Sequence, residues 1–266
     1  MQPPESKPEP LPEVSAPPAM SLWGRLFNVF ATPGEVFQEA KAAPETPANW
    51  LVPALILIVV SWAGAALIFS QPSIKQQLSD ITEQAIQRQI DSSHLSEQQA
   101  EQARAMGEKW AGISSQIGAA LVPVVVGFIL PFLWGLFVWL LGAQLFKGHF
   151  SYMKAVEVVG LANMVLVLEA IVKTLLIVGL GNLYASPGLV LLVKQFDPQN
   201  TWHKVFAAVN VMTFWVLAVR GIGLARLSGA SLAKSIVWVF AIWAAYTGFF
   251  IGIGALVQAG VKQITG

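Results

Sequence analysis

The chain has 266 residues, 55% of them hydrophobic and 12% charged, with a formal net charge of +1 and a mean hydropathy of +0.60. Soluble domains carry about 25% charged residues, so half the usual charge is missing. The near-neutral balance offers no basic face for nucleic acid, and the absence of cysteine removes disulfides, thiol nucleophiles and thiolate metal sites together.

The apolar residues come in blocks, the pattern of an all-α integral membrane protein. Residues 1–20, "MQPPESKPEPLPEVSAPPAM", hold seven of the sixteen prolines and read as a disordered tail that buries no core. They lack the basic start and short apolar core of a cleaved signal peptide, so the first span is expected to act as an uncleaved anchor. Residues 21–48 follow as interfacial amphipathic helices. Leu22, Trp23, Leu26, Phe27 and Phe30 recur at helical spacing around Arg25, which suits a helix lying in the membrane interface, packed on the protein's own bundle, or both. Thr32 as N-cap, Pro33 at the first helical position and Glu35 behind them start a second helix.

The membrane domain is read as 49–258, a five-helix bundle with spans at 50–69, 117–146, 155–180, 204–224 and 236–257. Between the first two lies the one sizeable polar insert, read as a helical hairpin over 73–114. Ile74, Leu78, Ile81, Ala85 and Ile90 mark its first apolar face, and Ser96 with Gln99 forms a capping box for its second helix. The second span carries Pro123 and Pro131 and at ~1.5 Å per residue would be about 45 Å long, so it must tilt, kink or protrude. The segment 186–196 is too short to cross and is placed at the interface. Residues 259–266 form a C-terminal tail.

The sixteen Lys and Arg divide evenly across a five-span layout. The short loops decide it: Lys147 and Lys154 flank one, Arg226 and Lys234 flank another, and both fall on the N-terminal side. The expected orientation is an N-terminus in the cytoplasm, with the hairpin 73–114 and the C-terminus outside.

Two charges stand inside the third span, Glu169 and Lys173. A charge at the bilayer centre costs about 2.5 to 3.5 kcal/mol on insertion scales. Counting depth along the helices puts Glu169 level with Asn210 of span four, and Glu157 level with Arg220. The expected contacts are Glu169 with Lys173 and Asn210, and Glu157 with Arg220. Asn210, Thr213 and Arg220 share a helical face; on span three, Gly160, Asn163, Ala170 and Thr174 form a face small enough for close packing. This intramembrane polar cluster (Glu157, Asn163, Glu169, Lys173, Asn210, Thr213 and Arg220) serves to hold spans three and four together, to line a path for a proton, ion or lipid headgroup, or to contact a partner subunit.

No phosphate-binding loop, zinc-protease helix or nucleophile elbow is present. Gly221 and Gly223 have no strand before them and no Lys-Ser after. The three histidines are scattered. No enzyme activity, cofactor or metal is expected.

Three stretches together resemble the Yip-domain family, multi-spanning proteins named for interaction with Ypt/Rab GTPases. They are "LFNVFATPGEVFQEA" before span one, "GHFSYMKAVEVVGLANM" at 148–164 and "FAAVNVMTFWVLAVRGIGLARLSGASLAKS" at 206–235. The resemblance covers about residues 20–258, and the polar hairpin is similar to the bacterial branch. Many relatives have a proline where Met164 stands, which puts a family kink in doubt here. The resemblance implies a five-span bundle with a cytoplasmic N-terminus and no known chemistry. Eukaryotic relatives act in vesicle traffic and bind prenylated small GTPases; some bacterial relatives are associated with ABC-type exporters. The expectation is a non-catalytic scaffold or accessory subunit in a bacterial inner membrane, partnered by the lipid bilayer and by a membrane complex such as an ABC-type exporter. A small transporter or channel using Glu169, Lys173 and Asn210, and a membrane-shaping protein acting through its N-terminal helices, are the alternatives.

Overall fold

Two short helices precede the membrane bundle. Ser21 Oγ accepts the Gly24 amide at 3.1 Å and opens α1 (Leu22–Asn28). Pro33, with φ already set for a helix, opens α2 (Pro33–Ala42); Thr32 precedes it, but its hydroxyl makes no cap hydrogen bond. The computed structural model describes residues 20–93 and 96–265, so the proline-rich stretch expected as a disordered tail lies outside the described residues, apart from Met20.

The chain continues as α3 (Ala48–Ser70), α4 (Pro72–Ser93), α5 (Glu97–Trp139), α6 (Tyr152–Ala162), α7 (Met164–Leu180), α8 (Thr201–Ala208), α9 (Val211–Ser228) and α10 (Leu232–Thr265). Five helical stretches are long and apolar enough to cross a bilayer: α3, α5 with its terminal turn, α6 with α7, α9, and α10. Among the described residues there is no strand, only an isolated bridge between Gly188 and Asn210. The protein is an all-α, multi-pass membrane protein.

The core is built around α6, whose residues from Lys154 to Ala162 are all buried. It is enclosed by α2, α3, α5 and α9, with Phe37, Leu26, Leu161, Leu217 and Leu224 wholly inside. Glycine makes the close approaches possible. A Cβ on Gly160 would stand 2.3 Å from the Trp50 Cα, one on Gly223 2.3 Å from Val158, and one on Gly64 2.4 Å from Thr174 Oγ1. The small face of span three therefore meets span one through Gly160 and Thr174.

The structure departs from the sequence reading in four places. Span three turns at Asn163 (φ −67°, ψ −8°) between α6 and α7, although no proline stands at 164. Span four starts at Val211, because the chain turns at Val209 and Asn210 after α8. Pro123 and Pro131 lie inside a continuous α5 that joins the second hairpin helix to span two, which the sequence reading kept apart, and α5 ends in a π-helical turn over Leu140–Leu145. Finally, α10 runs on to Thr265 and takes in most of the expected tail.

Span five sits at the edge. Of its most apolar eighteen residues only 6% are buried in the chain, against 28 to 44% in the other four spans.

Candidate functional site

The ionic groups fall into three layers. At the end of the bundle where α1 and α2 pack, Glu157 is 1% exposed. Its Oε1 accepts the Thr46 amide at 2.8 Å and its Oε2 accepts from Asn49 Nδ2 at 2.8 Å. Lys154, three residues earlier on the same face, lies 3.2 Å from Oε2 and also donates to the Ala40 carbonyl at 2.8 Å. Arg25 extends the network, reaching Asn49 Oδ1 at 3.4 Å and Glu39 Oε1 at 3.0 Å. Each buried charge has a partner, as low dielectric requires.

The middle layer is Arg220, 3% exposed. It donates to Asn163 Oδ1 at 2.8 Å, and its guanidinium lies 4.4 Å from the centre of the Trp134 ring. Glu157 is therefore not its partner. Span four ends at Ser228 rather than 224, which moves Arg220 about one turn deeper than the sequence count allowed.

The third layer lies at the opposite end, beside the α4–α5 hairpin. Asn210 caps α9 by accepting the Met212 amide at 2.9 Å, and its Nδ2 donates to Glu169 Oε1 at 2.6 Å. Among the described residues nothing donates to Glu169 Oε2. Lys173 attracts Glu169 electrostatically but makes no ion-pair contact with it, and among the described residues its ammonium donates no hydrogen bond. These groups line a recess of about 410 Å³ with Thr213 and Ser186 on one side, Tyr246 and Thr247 of α10 on another, and Tyr184 and Phe196 from the connecting loop. Burial first, and the Asp197 carboxylate second, push the Tyr184 phenol above its ordinary value, so it stands as a neutral donor. The lining comes from the hairpin end alone.

The loop that closes this recess is held by backbone pairing. Leu189 N donates to the Val209 carbonyl at 3.1 Å and Val211 N to the Pro187 carbonyl at 3.0 Å. Gly188 is needed there, since a Cβ would stand 2.2 Å from the Val209 oxygen. The exposed backbone of a broken helix thus finds partners in the loop rather than in lipid.

The interfacial residues divide. Leu26 is buried and Phe30 packs edge-on against Trp215 with ring centres 5.9 Å apart, while Leu22 leans on the same core. Trp23 and Phe27 stay 60% and 65% exposed on the other face of α1. The hairpin closes through Ile86, seated on Gly107, with Ser96 and Gln99 forming the capping box.

Seven polar residues were singled out from sequence. The structure brings Glu169, Lys173, Asn210 and Thr213 to the recess, joins Asn163 to Arg220, and places Glu157 elsewhere. The sequence reading missed Lys154, Asn49 and Thr46 as partners of Glu157, although the i, i+3 spacing of Lys154 and Glu157 was a usable signal. It also missed Tyr184, Tyr246 and Thr247, which no local pattern marks. Among the described residues no group of three or more His, Cys, Asp or Glu could hold a metal.

No curated protein and no solved structure is a match for the chain. Residues 27–254 match the Yip1 domain family, a stretch that takes in α2, the first four spans, most of the fifth, and every ionic group described above except Arg25. With most of its length inside that match, the chain belongs to the Yip1 domain family.

Proposed function

We propose that the protein is a non-catalytic subunit of a larger membrane assembly, with a bacterial ABC-type export system as its host. The single observation that carries this reading is span five. Phe249 and Phe250 are 62% and 68% exposed, and a Cβ at Gly248 or Gly252 would meet nothing within 4 Å. Elsewhere in the bundle this chain uses glycine to bring helices together. A bare Gly-x-x-x-Gly face on the least covered span is suited to a transmembrane helix of a partner. The short-loop lysines and arginines support a cytoplasmic N-terminus, with the hairpin 73–114 outside. Exposed Trp23 and Phe27 support lipid contact by α1, and so do not compete with the subunit reading.

Photo-crosslinking in the native membrane tests the proposal. A crosslinker at Leu256, exposed on the glycine side of α10, is expected to give a discrete adduct with another membrane protein, and one at buried Leu161 none. Adducts only to lipid or to a second copy would overturn it. The transport reading rests on the recess around Glu169; flux through liposomes containing the pure protein would favour it instead.

A further inference from the structure

We propose that the recess at the hairpin end is a binding site for the zwitterionic headgroup of a phospholipid that bears a primary ammonium, a phosphoethanolamine headgroup. Four observations converge. Glu169 is fixed from one side by Asn210 at 2.6 Å, yet among the described residues nothing donates to its second oxygen. Lys173 lies one turn along the same helix with its ammonium uncommitted. Thr82 and Thr174 return their hydroxyls to the carbonyl four residues back, at 2.9 and 2.8 Å; Thr213 and Thr247, at the recess, make no such bond. Tyr184, held neutral, adds another donor.

A free carboxylate oxygen and a free ammonium, roughly 5–6 Å apart at their Cβ atoms for this spacing, match a ligand with an ammonium and a phosphodiester joined by two carbons. The ammonium is seated on Glu169 and the phosphodiester on Lys173 and the hydroxyls. Phe196, Val190 and Trp243 are among the apolar residues of the wall. Leu191 and Leu192, which directly follow Val190 of the wall, are 46% and 77% exposed and offer apolar surface beside the recess for acyl chains. A trimethylated headgroup carries the same charges but cannot donate hydrogen bonds to Glu169, so the site discriminates by hydrogen bonding rather than by charge.

This inference goes beyond the subunit reading and does not depend on it. The test is native mass spectrometry of the purified protein in micelles doped with phosphatidylethanolamine, phosphatidylcholine or phosphatidylglycerol. The wild type is expected to retain phosphatidylethanolamine about tenfold better than phosphatidylcholine, the worth of one charge-assisted hydrogen bond. Glu169→Gln and Lys173→Met are each expected to remove that preference. Should either fail to accumulate, Thr247→Val on the edge span reports in its place, with a smaller loss. Equal retention of the three lipids by wild type, or a preference that survives both Glu169→Gln and Lys173→Met, overturns the proposal. Soluble glycerophosphoethanolamine separates the sources: if it binds as tightly as the lipid, the ligand is a free metabolite headgroup and the lipid assignment fails.

Discussion

Helices α6 and α10 are both apolar segments of one bundle, and they are built in opposite ways. Every residue from Lys154 to Ala162 in α6 is buried, and its one glycine is pressed against the backbone of α3, as a Cβ 2.3 Å from the Trp50 Cα attests. Helix α10 carries glycines at 248 and 252 that face open space, and Val239 is the only residue in its most apolar stretch that the chain itself buries. Lipid tails are as apolar as leucine, so association of helices in a bilayer depends on packing and polar contacts rather than on hydrophobic burial. On that measure α6 has spent its contacts inside the protein and α10 has kept its own available. The same chemistry that fixes the fold at one place is left for assembly at another.

The contrast is tested hardest at Glu157. Glu157→Ala strips the carboxylate from a buried network and leaves the Lys154 ammonium with only the Ala40 carbonyl. Breaking a buried pair from one side costs about 3–5 kcal/mol. The expected outcome is loss of folded protein, read as collapse of the monodisperse peak in detergent chromatography. A normal peak with an unchanged melting temperature would show that α1 and α2 are not tied to the bundle by this node. Gly160→Ala comes next. Its methyl group meets backbone, which cannot rotate away, and overpacking of this kind costs about 1–3 kcal/mol. Thermal unfolding followed by tryptophan fluorescence should show a clearly lower midpoint.

How far these regions were legible in the sequence depends on the length of the pattern. Five apolar blocks of bilayer length specify five helices, and Ser96 with Gln99 specifies the second hairpin helix, because both signals are local. The ends of span four were not legible. Lys204 to Ala208 are helical and mostly apolar, so nothing in periodicity separates α8 from α9; the break is made by Pro187 and Leu189 pairing with Val211 and Val209, some twenty residues away. That error carried into the depth count and matched Arg220 to the wrong acid. Asn210 and Glu169 were paired despite it, since a shift that moves Asn210 to the helix start still leaves it beside Glu169. The recess as a whole was hidden because Tyr184, Thr213 and Thr247 come from a loop and two helices, and an isolated hydroxyl in an apolar run carries no signal.

Asn210 yields a prediction of intermediate size. Asn210→Ala removes the α9 cap, worth about 1 kcal/mol, and the bond to Glu169, which in a membrane averages about 0.6 kcal/mol. A modest fall in the unfolding midpoint is expected, smaller than that for Gly160→Ala. A fall as large as that for Glu157→Ala would mean that the hairpin end is packed as rigidly as α6, and the division drawn between the two ends would fail.

The smallest effect on stability is expected at Gly248, and it is the most informative. Gly248→Ala adds a methyl group where the chain has open space, so the unfolding midpoint of the isolated protein should not move beyond the roughly 0.5 kcal/mol typical of an exposed site. In the native membrane the same methyl group stands at the closest point of approach of a Gly-x-x-x-Gly face. Co-purification of the partner trapped at Leu256 should then fall while the protein itself accumulates normally. Gly160→Ala reverses the pattern, lowering stability without touching the exposed face. If Gly248→Ala lowers the midpoint of the isolated protein, α10 already has an internal partner and its exposure cannot serve assembly. If neither stability nor co-purification changes, lipid covers this face in the membrane, and the contrast between α6 and α10 reduces to one between a central and an edge helix.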